Sequence, residues 1–176
     1  MSEVLCSGDK LEKVVAGLAA EIAADFTGQP IMLLGLLKGC QPFLADLCRQ
    51  LSRYKLTLTV DYIKVKSYAG TASSGKVSIR QLADDISFSQ QNVIVIDDIF
   101  DTGLTLKEVM AWLRGKGAAV VKSCVLLRKS GCSREILRPD YCGLEIPDAF
   151  VVGYGLDYNE HYRELPYIKI LSENEQ

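Results

Sequence analysis

The chain has 176 residues, 48% of them hydrophobic, which is enough for one domain with a substantial core. Its formal net charge is −2, from 20 basic and 22 acidic residues, so it lacks the basic surplus typical of nucleic-acid-binding proteins. Residues 1–10 are polar, and no apolar run approaches the roughly 20 residues that a membrane-spanning helix requires. We therefore expect neither a secretory signal nor contact with a membrane.

The chain contains six cysteines, none of which forms a CxxC pair. A zinc site is therefore not expected, and a disulfide scaffold would be unusual in a chain this long and apolar. Several cysteines lie inside apolar stretches, as Cys124 does. The pattern favours buried, reduced thiols in a cytoplasmic protein.

The hydrophobic pattern predicts alternating helices and strands. Apolar residues recur at helical spacing over residues 11–26, whereas residues 31–37 form the continuous apolar run typical of a strand buried on both faces. The predicted elements, in chain order, are a helix at 11–26, a strand at 31–37, a helix at 41–54, strands at 56–65, 77–82 and 92–96, a helix at 104–114, a strand at 118–127, and short strands at 141–144 and 149–154.

This alternation predicts a single α/β domain over residues 1–176, with a mainly parallel central sheet and helices on both faces. Ligands of such sheets bind at the carboxyl ends of the strands, near a topological switch point. The residues just after Leu37, Ile96 and Leu127 are therefore the first candidates for a site.

Residues 93–105 have the composition of a phosphate-binding turn. A predicted strand ends at two adjacent carboxylates, and the polar residues that follow it in order are Asp97, Asp98, Asp101, Thr102 and Thr105, with Gly103 among them. The N–H groups and dipole of a helix N-terminus favour an anion, and glycine lets the backbone approach it closely. Adjacent carboxylates suit ribose hydroxyls or a divalent cation. Taken singly, each residue also fits strand-end solvation or helix capping.

This segment resembles the phosphoribosyl diphosphate signature of type I phosphoribosyltransferases. Further segments narrow the resemblance to the hypoxanthine-guanine phosphoribosyltransferases: LLKG at 36–39 resembles their diphosphate-binding loop, SY at 67–68 opens a segment similar to their mobile lid, LLRK at 126–129 resembles their base-binding segment, and EIPDAFVVGYGLDY at 145–158 with HYRELPY at 161–167 is the most specific string. The motifs occur in the family's order and cover nearly the whole chain.

The resemblance implies a type I phosphoribosyltransferase-like fold with a small hood region. It also implies the reaction, which is transfer of the 5-phosphoribosyl group from phosphoribosyl diphosphate to N9 of hypoxanthine or guanine in purine salvage. The products would be IMP or GMP and diphosphate, with Mg²⁺ as cofactor. By the same resemblance the functional unit would be a homo-oligomer, either a dimer or a tetramer.

The resemblance further implies a role for each matching residue. The 5′-phosphate would be held by Asp101, Thr102, Gly103, Leu104 and Thr105. Asp97 and Asp98 would hold the ribose hydroxyls and magnesium, with Asp157 as a further magnesium ligand. The diphosphate would meet Arg163 and the backbone N–H groups of Lys38 and Gly39, through a cis peptide at Leu37–Lys38. The base would meet Lys129 at O6, Phe150 by stacking, Val151 at its edge, and Asp101 as acid/base at N7. Ser67 and Tyr68 would belong to the lid.

Several alternatives stay open on the residues alone. Lys38 and Lys129 fit solvated lysines in loops, Phe150 fits an ordinary core residue, and Asp157 with Arg163 fits a surface ion pair. The base could be another, such as xanthine, or the fold could serve a regulator that senses the diphosphate and binds RNA or DNA. The family often has Glu-Asp where this chain has Asp97-Asp98, which shortens the reach of the first carboxylate by one methylene. Gly153-Tyr154-Gly155 is only a partial dinucleotide fingerprint.

Overall fold

A computed structural model describes residues 4–67, 77–82, 86–131 and 138–172. The helices are α1 (Gly8–Asp25), α2 (Gln41–Leu51), which continues into a 3-10 turn (Ser52–Tyr54), and α3 (Leu104–Gly115). The strands are β1 (Val4–Cys6), β2 (Ile31–Leu37), β3 (Leu58–Ser67), β4 (Val77–Gln81), β5 (Asn92–Phe100), β6 (Val120–Lys129), β7 (Tyr141–Ile146), β8 (Val151–Val152) and β9 (Ile168–Ile170).

Six strands form the central sheet in the order β4-β3-β2-β5-β6-β7. Neighbouring strands from β3 to β7 pair in parallel, and only β4 runs antiparallel, along β3. The chain fills one side of β2 first and then returns to β5 on its other side. The carboxyl ends of β2 and β5 are therefore the topological switch point, where ligands of such sheets bind. The predicted mainly parallel sheet is confirmed.

Helices cover both faces of this sheet, as predicted. α1 and α2 pack on one face, where Leu11, Phe43 and Leu33 are buried, and α3 packs on the other, where Leu34 and Leu113 are buried. Adjacent residues of β2 thus belong to different cores, which explains its uninterrupted apolar sequence. Each fully buried leucine contributes about 1.5–3 kcal/mol to folding, so both helix layers are well supported.

A second, three-stranded antiparallel sheet of order β1-β9-β8 forms the small hood. Its strands are only two or three residues long, and the sequence pattern did not predict β1 or β9. They form because backbone pairing between the two ends of the chain stabilises segments too short to show a period. Within the described residues, no helix is long and apolar enough to cross a membrane.

Three predicted boundaries were wrong in a way that bears on the site. β5 continues past 96 to Phe100, so Asp97 and Asp98 lie within the strand, because parallel pairing with β6 persists to Phe100 and Arg128. β6 likewise includes Lys129, which was expected just after the strand. The strand expected at 149–154 is only Val151–Val152, so Phe150 precedes it.

Candidate active site

The loop after β2 brings a glycine directly under a carboxylate of β5. A side chain at Gly39 would place its Cβ 1.6 Å from Asp98 Oδ2, so only glycine fits there. The Leu37–Lys38 peptide bond is cis, as the resemblance implies. Beside this loop opens a cavity of about 250 Å³, which is lined by Leu36, Leu37, Lys38, Gly39, Val65, Asp97, Asp98, Thr105, Asp157 and Arg163.

Two adjacent carboxylates line this cavity, which we call the donor cavity after the ligand that the resemblance implies. The Asp98 backbone N–H donates to Asp97 Oδ1 (3.1 Å), and the Ile99 N–H donates to Asp98 Oδ1 (2.8 Å). Burial raises the pKa of Asp97 well above its usual range, and the charge of Asp98 raises it further. Burial also raises the pKa of Asp98, although its hydrogen bonds and the charge of Arg163 act in the opposite direction and lower it. Like charges held this close favour a bound cation.

The turn between β5 and α3 exposes a helix N-terminus. Gly103 is the N-cap, with φ +77°, and no side chain caps the helix there. A Cβ at Gly103 would lie 2.6 Å from Cζ of the buried Phe100, so the turn is packed tightly on β5. Thr102 Oγ1 accepts a hydrogen bond from the Leu104 N–H (3.4 Å). Thr102 therefore satisfies one N–H group at the start of the helix.

A second cavity, of about 260 Å³, adjoins the first, and we call it the base cavity for the same reason. Its lining includes Asp98, Ile99, Asp101, Lys129, Ala149, Phe150, Val151, Leu156 and Asp157. Lys129 Nζ lies 3.1 Å from Asp148 Oδ1 and 3.9 Å from Asp101 Oδ2, and only 18% of its side chain is exposed. Lys129 is thus a partnered cation at the rim rather than a solvated loop lysine.

Phe150 stands at the opening of the base cavity. It is 44% exposed, so it is not a core residue, and its ring packs edge-to-face against Tyr158 with centroids 5.7 Å apart. Val151, the next residue, is buried in β8. An exposed aromatic face beside a buried backbone segment is suited to stacking on a planar ring.

Arg163 closes the donor cavity from the hood side. Its Nη2 lies 2.8 Å from Asp157 Oδ1, and its Nη1 donates to the Gly155 carbonyl (2.7 Å). Its Nε is buried and has no hydrogen-bond partner among the described residues. The pair is half-buried, with 26% and 30% of the side chains exposed, which sets it apart from an ordinary surface ion pair.

Two glycines of the GYG segment serve close packing rather than a dinucleotide turn. Gly153 has φ +101°, and a Cβ there would lie 2.0 Å from the Tyr167 carbonyl oxygen. Gly155 has φ +99°, and a Cβ there would lie 2.0 Å from the Gly39 carbonyl oxygen. The hood therefore rests directly on the loop after β2, which sets the width of the donor cavity.

The structure brings most of the predicted residues to these two adjoining cavities, with Thr102, Gly103 and Leu104 in the turn beside them. Ser67 ends β3, whose residue Val65 lines the donor cavity. Tyr68 and nearly all of the predicted lid at 67–75 lie outside the described residues. The sequence reasoning missed Asp148 and Glu160, which pair with Lys129 and Lys38. Asp148 lies inside the most specific string and Glu160 between its two parts, but no local pattern shows their partners.

The carboxylates fit a magnesium ion that is shared with a ligand. Among the residues that the structure describes, no three His, Cys, Asp or Glu side chains cluster as a complete metal site. Mg²⁺ is usually held by only one or two carboxylates together with substrate phosphates and water. Asp97, Asp98 and Asp157, lying around one cavity with Lys38 and Arg163, suit that arrangement.

A parallel sheet with a carboxylate pair and a helix N-terminus at its switch point suits a phosphorylated ligand. Residues 4–159 match the family model of the phosphoribosyl transferase domain. A hypoxanthine-guanine phosphoribosyltransferase of Bacillus subtilis is 40% identical over 173 residues, which are 97% of this chain and 93% of that protein. One from Streptococcus pneumoniae R6 is 39% identical over 175 residues, or 98% and 94% of the two chains.

Solved structures agree with this assignment. A hypoxanthine phosphoribosyltransferase from Staphylococcus aureus matches with a TM-score of 0.88 at 34% identity, covering 98% of this chain and 92% of that one. The enzyme of that name from Trypanosoma cruzi gives 0.89 at 33% identity, with the same coverage. The chain therefore belongs to the hypoxanthine-guanine phosphoribosyltransferases, a family of transferases. The resemblance read from its motifs is confirmed.

Proposed function

We propose that this enzyme transfers the 5-phosphoribosyl group from phosphoribosyl diphosphate to N9 of hypoxanthine or guanine, giving IMP or GMP and diphosphate. One observation carries the proposal: the donor cavity and the base cavity share Asp98 and Asp157. A ribose at this junction has its C1′ between a site for an anion and a site for a flat ring. Holding both reactants in that order accounts for much of the rate gain in such reactions.

In the proposed reaction the bond from C1′ to the diphosphate breaks as N9 of the base attacks. The sugar becomes oxocarbenium-like, and negative charge develops on the leaving diphosphate. Arg163 and the Lys38–Gly39 backbone would stabilise that charge. The turn from Asp101 to Thr105 would fix the 5′-phosphate at the N-terminus of α3. The lid that begins at Ser67 and Tyr68 would exclude water from the reactive sugar.

The base would be oriented by three contacts. The Lys129 ammonium would donate to O6, the Phe150 ring would stack on the purine, and Val151 would offer backbone groups to its edge. Asp101 would accept the proton at N7, where positive charge built up in the ring can be relieved. Because hypoxanthine, guanine and xanthine all carry O6, Lys129 alone does not rank them.

We also infer that magnesium is required, held by Asp97, Asp98 and Asp157 together with the donor. Bound there, the ion would neutralise charge on the diphosphate and help it to leave. Its support is the desolvated carboxylate pair beside the two cationic residues of the donor cavity. Full activity after thorough chelation would contradict this inference.

The decisive assay supplies purified protein with phosphoribosyl diphosphate, magnesium, and hypoxanthine, guanine, xanthine or adenine in turn, and measures nucleotide and diphosphate. We expect turnover with hypoxanthine or guanine and none with adenine. Turnover mainly with xanthine would favour the alternative base. No turnover with any base, together with salt-dependent binding of RNA or DNA, would favour the regulator instead.

Three wider properties belong to the same proposal. We infer one domain over residues 1–176 and a homo-oligomeric functional unit, either a dimer or a tetramer. We also infer a cytoplasmic location, which the unpaired thiols of the five described cysteines support. A monomeric mass at assay concentration with full activity would contradict the oligomer.

A further inference from the structure

A single carboxylate oxygen touches both cationic residues of the donor cavity. Glu160 Oε2 lies 2.7 Å from Lys38 Nζ and 3.5 Å from Arg163 Nη2. Lys38 and Arg163 come from the loop after β2 and from the hood, 125 positions apart in the chain. The oxygen thus occupies a point between two positive charges where an oxygen of a diphosphate group would make the same two contacts.

Glu160 is not needed to hold Arg163 in place. Arg163 is already fixed by Asp157, at 2.8 Å, and by the Gly155 carbonyl, at 2.7 Å. The Glu160 contact is longer, and 62% of the Glu160 side chain is exposed. Its contribution to the position of the guanidinium is therefore small, and its main effect there is to compete for the positive charge.

The backbone turn directs Glu160 toward the cavity. Its φ is +69°, and its N–H donates to Asp157 Oδ2 (2.8 Å). Its carboxylate accepts a hydrogen bond from the Lys38 ammonium, at 2.7 Å. An anionic side chain is thus built into the rim of a cavity suited to an anion.

We propose that Glu160 is an internal competitor for the diphosphate group. It releases Lys38 and Arg163 when the donor's diphosphate binds, and it takes them back as the diphosphate product leaves. The proposal rests on the proposed function for the identity of the anion. Its consequence is weaker binding of the donor in exchange for faster release of product, since any ligand that enters must first break the Glu160 contacts.

The test compares Glu160→Gln with the wild type and with Glu164→Gln, a matched loss of charge at an exposed residue of the same segment. Binding of magnesium diphosphate is measured by calorimetry, without turnover. Exposed ion pairs of this kind are worth a factor of about 2–5 in an equilibrium, so Glu160→Gln should bind diphosphate about 2–5-fold more tightly. Glu164→Gln should bind it as the wild type does. The KM for the donor should fall in parallel, and the KM for the base should not change.

A second variant identifies the contact that is responsible. In a Lys38→Met background, which weakens diphosphate binding by itself, Glu160→Gln should tighten it by a smaller factor than in the wild type. Equal or weaker diphosphate binding in Glu160→Gln alone would overturn the proposal, and so would equal tightening in Glu164→Gln. Failure of the proposed function looks different, because then the wild type forms no nucleotide from any base.

Discussion

Asp101 is the most freely exposed of the carboxylates lining the two cavities, with 63% of its side chain accessible. It begins the phosphate turn, yet it does not cap α3. Its nearest cation is Lys129, at 3.9 Å, too far for a strong ion pair. A carboxylate so placed is free to turn toward a base in the adjoining cavity.

We predict that Asp101→Asn lowers kcat by about 10²–10⁴-fold, the usual value of general acid–base catalysis. Donor binding should stay near the wild-type value, because in the proposed site backbone N–H groups and hydroxyls would hold the phosphate. Steady-state kinetics with hypoxanthine and calorimetry with the donor measure the two effects. The control is Glu108→Gln, an exposed carboxylate on α3. Wild-type turnover in Asp101→Asn would leave the residue no catalytic role.

Lys129 Nζ lies near two carboxylates at the rim of the base cavity, Asp148 at 3.1 Å and Asp101 at 3.9 Å. An ammonium there donates to O6 of an oxopurine but has nothing to accept from the 6-amino group of adenine. We therefore expect Lys129 to favour oxopurines over adenine.

Lys129→Ala should raise the KM for hypoxanthine about 10–100-fold, the value of a hydrogen bond to a charged group. The affinity for phosphoribosyl diphosphate should stay the same, since Lys129 does not line the donor cavity. Initial rates at varied base and varied donor separate the two effects. Lys116→Ala, at the far end of α3, serves as the control. Equal losses for both substrates would mean that Lys129 does not read the base.

At the scale of elements, the turn from β5 into α3 depends on one glycine. Gly103 combines a positive φ with a backbone that lies against the buried Phe100 ring. A methyl group added at Gly103 would be disfavoured both by the left-handed backbone and by the clash with the Phe100 ring. The ring cannot move away cheaply, since its residue is only 4% exposed.

We expect Gly103→Ala to cost about 1–2 kcal/mol from the left-handed backbone alone, with more from the clash. Because the turn must shift, the KM for the donor should rise at least about tenfold, the equivalent of 1.4 kcal/mol. Gly115→Ala is the matched control on the same helix, where an added Cβ meets nothing within 4 Å. That change should leave kinetics unaltered and stabilise the protein by up to about 1 kcal/mol. If Gly103→Ala binds the donor as the wild type does, the turn does not require glycine at this position.

At the scale of the whole molecule, one polar cluster joins the end of α1 to the central sheet. Tyr141 of β7 donates to Asp25 Oδ2 (2.6 Å), and Lys122 of β6 donates to the same oxygen (2.6 Å) and to the Tyr141 hydroxyl (3.1 Å). The cluster lies away from both cavities, so it can be tested without touching the site.

Tyr141→Phe removes two of these hydrogen bonds and should lower the free energy of unfolding by about 1–2 kcal/mol. Urea denaturation measures the change, and Tyr54→Phe, at an exposed position, is the control. Activity should remain at the wild-type level in both variants. A free energy equal to that of the wild type would show that the cluster adds nothing to stability.

The same cluster predicts how stability depends on pH. Hydrogen bonds from Lys122 and Tyr141 lower the pKa of Asp25, so its contribution is present above the unfolded pKa, about 3.9, and is lost as pH falls through the lower native value. Burial and the bond to Asp25 raise the pKa of Tyr141 to about 12, so its contribution is lost as pH rises toward that value. The difference between wild type and Tyr141→Phe should therefore be constant from about pH 5 to 9 and shrink below about pH 4. Urea unfolding curves of the wild type and of Tyr141→Phe, recorded from below about pH 4 up to about pH 9, measure this difference.

The central sheet and the position of the turn after β5 could be predicted from the amino-acid sequence alone. The strand Ile31–Leu37 is buried on both faces, and its uninterrupted apolar sequence shows this directly. The carboxylates, glycine and hydroxyls at the end of β5 and just after it are also close together in the sequence, so a local motif reveals them. The family's motifs could be matched residue by residue for the same reason. Even so, the ends of β5 and β6 were misjudged, because strand pairing rather than hydrophobicity extends them to Phe100 and Lys129.

Contacts between distant segments of the chain could not be predicted from the sequence. Glu160 lies 122 positions from Lys38, and the Gly155 backbone rests on Gly39, yet nothing in either segment's own pattern signals these contacts. The hood strands β1 and β9 join opposite ends of the chain and are too short to show a period. Hydrophobic periodicity reports how each segment faces the core, whereas contacts between distant segments follow from the packing of the whole chain.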